Sequence, residues 1–174
     1  MRGGGTPLLL DELAGLVGAA RNHPSASVQL DLKGASAREI DGDVATAFAA
    51  ALAGPGARFI LSGGDWEAVM RLGGAVDGLA LGYDPIDDAG VDVDADTLER
   101  LIRAIAPDAH TIYLHRECVR ASQARGDGLV ARLKAWGHRI DCWTIDFADA
   151  DADADLGCAV AAGCDAITTN TAIA

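Results

Sequence analysis

Extended and helical apolar patterns alternate along this chain, and such alternation restricts a fold to parallel strands joined by right-handed helical crossovers. Leu13, Leu16, Val17 and Ala20 fall on one helix face, with Asp11 and Glu12 in the first turn, where the helix dipole favours carboxylates. Residues 28–33 then alternate strictly between apolar and polar side chains, the period of a strand. Ser36 and Glu39 have capping-box spacing ahead of the stripe Ile40, Val44, Phe48 and Leu52. Residues 58–62 read as a second strand, 65–72 as a short helix and 78–84 as a third strand. Asp96 and Glu99 open a helix carrying Leu98, Leu101, Ile102 and Ile105, and residues 111–115 read as a strand. Leu129, Val130, Leu133 and Trp136 mark a helix stopped by Gly137. The stretches 139–146 and 163–170 are short apolar strands ending in polar residues, with a small helix at 156–162 between them.

This gives about six strands at a mean spacing of roughly 27 residues, against roughly 31 for the βα unit of an eightfold barrel. A doubly wound sheet fits the same pattern, although no G-x-G-x-x-G follows any strand. The 174 residues, half of them hydrophobic, suit one globular domain with a sizeable core. A formal charge of −12 without a basic run excludes nucleic acid and anionic membrane surfaces as partners, because polyanion binding needs clustered Lys and Arg. An anionic small substrate stays open, since a bound cation can reverse the local field. Leu8–Leu10 is too short for a signal sequence, and no stretch approaches the ~20 apolar residues of a membrane span, so no membrane insertion is expected. Cys118, Cys142, Cys158 and Cys164 have no metal-ligand spacing and read as buried, reduced thiols of a cytoplasmic protein.

The segments Arg139-Ile140-Asp141-Cys142-Trp143-Thr144-Ile145-Asp146 and Gly163-Cys164-Asp165-Ala166-Ile167-Thr168-Thr169-Asn170, with Val28-Gln29-Leu30-Asp31-Leu32-Lys33, resemble the later strands of the glycerophosphodiester phosphodiesterase family. Thr6 to Leu13 resembles the family's Pro-Thr-Leu-x-Glu-x-Leu lead-in to its second barrel helix. The resemblance implies an incomplete (β/α)8 TIM-type barrel, a single domain over residues 1–174 whose strands correspond to the third to eighth. The family's His-Arg start, Glu-x-Asp pair and His-Asp loop have no counterpart, so the first two strands and one helix are expected to be missing. Two strands would then expose unpaired edges, which opens a route to dimerisation through the open barrel.

In a barrel, Val28, Leu30 and Leu32 face the helices while Gln29, Asp31 and Lys33 face inward. Two readings stay open: an internal Asp31–Lys33 pair, or Asp31 as a ligand for a divalent metal (Mg2+ or Ca2+) with Lys33 on a phosphate. The family usually has Glu-Ile-Lys here, so Asp31 is one methylene shorter. Trp143 stands in the place of the family's Trp-Thr-Val-Asn, which implies a wall of the substrate pocket; a plain core Trp in phase with Asp141 and Ile145 is the alternative. Asp146 stands where Asn is common, and Asn170 where Asp usually precedes an aromatic and Pro. Ser62 ends the second strand, where the family often has Ser-Ser-Phe-Asp. Residues 62–65 could present amides to an anion, or Asp65 could serve as a simple helix cap.

Tyr83, Asp84, His115 and Arg116 fall at strand C-termini, the face where barrel enzymes build their sites, and Arg116 could contact a phosphate in bidentate fashion. His115 titrates near neutrality, but neither catalytic histidine of the family maps to it, so no catalytic residue is assigned. The acidic runs around Asp87 to Asp96 and Asp149 to Asp155 read as solvated loops and helix starts. The second fails as a calcium loop, with Ala154 and Val160 where Gly and Glu are required. His23, His110 and His138 read as surface residues.

The resemblance implies metal-assisted hydrolysis of a small glycerophosphodiester to an alcohol and glycerol phosphate, with one histidine as nucleophile or base and another protonating the leaving alcohol. Without those groups, weak or no hydrolysis is expected of this chain, and three readings remain. It is a phosphodiesterase whose first strands lie upstream of Met1 or were cut away, a shortened homologue serving as a binding or scaffold module or decaying as a remnant, or an unrelated α/β or barrel enzyme.

Overall fold

A computed structural model describes residues 9–19, 26–34 and 36–170; Thr6, Pro7, Leu8, Ala20 and His23 lie outside them. Strands β1 (Val28–Leu32), β2 (Phe59–Gly63), β3 (Ala80–Tyr83), β4 (Thr111–His115), β5 (Arg139–Trp143) and β6 (Ala166–Ile167) form one parallel sheet in chain order. Sequential order rules out the doubly wound alternative, whose strand order reverses at a switch point. The sheet curls into an open half-barrel with the helices outside. Helix α1 (Leu10–Ala19) precedes β1, α2 (Gly42–Ala51) follows it, and α3 (Trp66–Gly73) follows β2. Helices α4 (Ile86–Ala89) and α5 (Ala95–Ile105) follow β3, α6 (Arg116–Arg125) and α7 (Leu129–Ala135) follow β4, and α8 (Ala152–Ala162) joins β5 to β6. Among the described residues no helix is long and apolar enough to cross a membrane.

Aspartates fix three of the helix starts. Asp41, Asp65 and Asp94 accept hydrogen bonds from the backbone N–H groups of Val44, Ala68 and Thr97. Asp65 is thus a helix cap, as one of its two readings held. The Ser36–Glu39 capping box forms, but it closes only a 3-10 turn, Ala37–Glu39, because the helix restarts at the Asp41 cap. The next long helix likewise begins two residues before Asp96, at the Asp94 cap. Helix α6 has no counterpart in the sequence reading; it turns inward only Cys118, Val119 and Ser122, too few apolar residues for a stripe.

The core lies between the sheet and its helices. Its largest part joins β3 to β6 with α5 to α8, through Leu98, Ile102, Ile112, Leu133 and Ile140. Ile145, expected in phase with Trp143, is buried in this cluster instead. Strand β1 is only half-buried on its helix side, at Val28, Leu30 and Leu32, while Gln29 and Asp31 are exposed to the concave face. His138, read as a surface residue, is buried, with Nδ1 2.6 Å from the Ala109 carbonyl oxygen. Cys118 and Cys142 are buried, Cys158 and Cys164 half-buried, and all four are unbridged.

Gly82 is the tightest point of the concave face: a Cβ there would lie 2.5 Å from Cε2 of Tyr113, whose ring crosses β3 at that position. Gly82→Ala should lower stability by about 1–3 kcal/mol, the usual cost of forced overpacking, measured by urea unfolding.

Candidate ligand cleft at the strand C-termini

The hollow of the half-barrel holds a cleft of about 340 Å³ at the C-terminal ends of the strands. Its floor is a chain of polar side chains, one from each of several strands. The Gln29 amide donates to Ser62 Oγ at 2.9 Å, and the Tyr113 phenol shares a hydrogen bond with Ser62. At the other side, Thr168 Oγ1 donates to Asp141 Oδ1 at 2.9 Å. Burial holds the Tyr113 phenol well above the usual range and pushes the Asp141 carboxyl up to about 6, although the Thr168 bonds oppose the latter.

The mouth carries the charge. Lys33 Nζ lies 2.8 Å from Asp31 Oδ2 and 5.9 Å from the centroid of the Trp143 ring. The lysine side chain is 73% exposed and the aspartate 41%, so the pair is a solvated one of small energetic weight. The hydrogen bond that Lys33 donates to Asp31 raises the Lys33 pKa, and the charges of Asp31, Asp84 and Asp87 add to it. Asp84 follows β3, accepts from the Ile86 N–H at 3.1 Å and is pushed up to about 6, chiefly by burial. The His115 ring stands edge-on to Trp143 at 5.1 Å, and its Nδ1 accepts from the Glu117 N–H at 3.3 Å. Burial lowers its pKa.

Asp31, Lys33, Ser62 and Trp143 thus come together in one cleft. Arg116 does not join them: its guanidinium lies 2.6 Å from Asp149 and 3.5 Å from Asp155, and Arg120 lies 3.0 Å from Asp155. Asp155 is buried, so this part of the acidic run is an ion network between α6 and α8 and not a solvated loop. Sequence reasoning missed Tyr113 and Thr168 as cleft-lining groups, and Asp141 as the buried partner of Thr168. For Tyr113 and Asp141 the signal was available, because they pair directly between β4 and β5 and so share the inward face.

The divalent metal implied by the family resemblance needs several oxygen ligands. Among the described residues no group of three or more His, Cys, Asp and Glu side chains is arranged to hold one, and Asp31 is engaged by Lys33. The described residues by themselves do not fit such a metal.

No protein-family model matches the chain, and no curated protein matches it in sequence. Its fold is similar to the crystal structure of a protein from Silicibacter pomeroyi DSS-3 named as a glycerophosphoryl diester phosphodiesterase, with a TM-score of 0.60 and 18% identity. The match covers 92% of this chain and 52% of that one, so the chain spans about half the length of the solved protein it resembles. The likeness shows the fold alone, that of an incomplete (β/α)8 barrel.

Asp84 and Asp141 ionise near about 6 in the folded chain against an ordinary 3.8, so the folded state holds their protons more tightly than the unfolded state. Their contribution to stability is present at low pH and is lost as pH rises through that interval. Asp127 and Asp165, whose pKa values are lowered, act oppositely and only as pH falls below the ordinary value. Burial lowers the pKa values of His110 and His115, which act oppositely across the same interval, so the carboxyl contribution is isolated by a variant: Asp141→Asn should lose less stability than the parent chain between about pH 5 and about pH 7.5 in urea unfolding.

Proposed function

We propose that the cleft binds a small glycerophosphodiester, with its phosphate on the Lys33 ammonium and the Trp143 ring as a wall, and that this chain alone hydrolyses it weakly or not at all. The observation that carries the reading is the Lys33–Asp31–Trp143 grouping above a hydrogen-bonding floor. The likeness of the fold to a protein named as a phosphodiesterase supports it. An ammonium has three donors, so Lys33 can keep Asp31 as its orienting partner and still donate to phosphate oxygens. Gln29, Ser62 and Tyr113 offer donors and acceptors to the alcohol portions of the ligand. The carboxylates around Lys33 oppose a phosphate, which argues for modest affinity.

Weak hydrolysis follows from the proton-transfer groups at hand. Asp84 titrates in a useful range, but the His115 ring packs perpendicular to Trp143 and has Nδ1 occupied by a backbone N–H. A divalent cation (Mg2+ or Ca2+) would find one oxygen ligand in Asp31, and no step is assigned to it. Arg116 would reach a phosphate only by leaving Asp149 and Asp155.

Calorimetric titration with a glycerophosphodiester should show binding that Lys33→Gln weakens by roughly tenfold or more, the weight of a charged hydrogen bond of about 1.5–3 kcal/mol. Equal affinity in the variant, or no binding by the parent chain, would reject the reading.

A second reading, a binding or scaffold module, is favoured by the outer edges of β1 and β6, which pair with no strand among the described residues. Bare edges recruit further strands, including those of a second copy. Sedimentation should then reveal a concentration-dependent dimer; a monomer at every concentration counts against this module.

A further inference from the structure

The half-barrel has a second recess, of about 690 Å³, at the N-terminal ends of its strands. It is separate from the ligand cleft. Arg139 opens β5 and Trp143 closes it, so four residues of strand rise, roughly 13 Å, lie between the two. The floor of the recess is apolar. Ile60 and Ala80 pair in register across β2 and β3, each two residues before Ser62 and Gly82 and therefore on the same concave face.

The rim is cationic, in a chain whose formal charge is −12. Arg139 is exposed, and its guanidinium makes no hydrogen bond or ion pair among the described residues. Asp141 and Asp165 feel its charge, but both are engaged elsewhere, Asp141 by Thr168 and Asp165 by Lys134 and the Ile140 N–H. His110 stands beside it on β4, where the His110 carbonyl accepts from the Arg139 N–H at 2.8 Å. Thr111 Oγ1 lies 2.9 Å from His110 Nδ1, so Nε2 is the ring nitrogen left to meet a ligand. Arg58, where β2 begins, is held by donation to the Val17 carbonyl at 3.2 Å. Burial, and after it the Arg139 charge, lower the His110 pKa, as expected where like charges crowd together. Asp108 is the carboxylate on this rim and opposes an anion, whereas Asp31, Asp84 and Asp87 all crowd the other end of the strands.

We propose that this recess binds an organic anion, a carboxylate or phosphate head on a short apolar body. The head lies between Arg139 and His110 with Arg58 at the rim, and the body lies on Ile60 and Ala80. A guanidinium offers two parallel N–H donors to a carboxylate or phosphate, and a recess lined by one sign of charge draws the opposite sign toward it. An apolar floor with a few convergent polar groups is the usual make-up of a small-molecule site. The anion relieves the repulsion between Arg139 and the imidazolium form of His110, a relief that no carboxylate of the described residues supplies by contact.

The test is calorimetric titration of the full chain with octanoate, with octylamine, which keeps the body and reverses the charge, and with acetate, which keeps the head alone. Octanoate should bind, and octylamine and acetate should each bind more weakly by roughly tenfold or more, as should octanoate to Arg139→Gln, the weight of a lost charged hydrogen bond. Lys33→Gln, at the other end of the strands, should leave octanoate binding as it is in the parent chain. No binding of octanoate, octylamine or acetate as tight as octanoate, or a loss in Lys33→Gln without one in Arg139→Gln would overturn the site. Should Arg139→Gln fail to fold, the comparison of octanoate with octylamine on the parent chain and on Lys33→Gln decides.

Discussion

A curled parallel sheet has an inside, and each polar side chain pointing there must find a partner or keep contact with water. The concave face of this half-barrel meets the requirement strand by strand. Gln29 satisfies Ser62, Ser62 is shared with Tyr113, Thr168 satisfies Asp141, and Lys33 satisfies Asp31. These bonds order the floor of the cleft in front of the apolar core on the helix side of the same strands.

The convex side obeys the opposite rule, and unevenly. From β3 to β6 the strands bury large apolar side chains against four helices, whereas β1 offers only half-buried Val28, Leu30 and Leu32 to α1 and α2. Local stability should follow that gradient, since opening costs least where few apolar groups are sealed. The Lys33 end of the cleft therefore rests on a strand with thinner apolar backing than the one that carries Trp143. A ligand bridging the two would join a thinly backed wall to a deeply packed one.

Much of this was legible in the residues. Strict alternation at 28–33 and the apolar run at 111–115 announced strands because the pleat has a period of two, and Gly137 and Gly163 marked helix ends because both adopt positive φ. The Asp31–Lys33–Trp143 grouping followed from strand phase and family resemblance together. Other features depended on long-range partners that no local pattern contains. Helix α6 has too weak a stripe to read alone. Asp155 lies in a run of acids that looks solvated, yet it is drawn inward by Arg116 and Arg120 from another helix. His138 was invisible for the same reason, its partner being the Ala109 carbonyl.

The close approach at Gly82 makes two positions on neighbouring strands a single decision. The Tyr113 ring occupies the volume that a side chain at position 82 would fill, and from there its phenol reaches Ser62. A methyl group at 82 is affordable only if position 113 gives up its ring, and with it the hydrogen bond that organises the cleft floor. Substitutions at the two sites should therefore be non-additive, and any lineage that trades one for the other exchanges an aromatic, hydrogen-bonded interior for an aliphatic one.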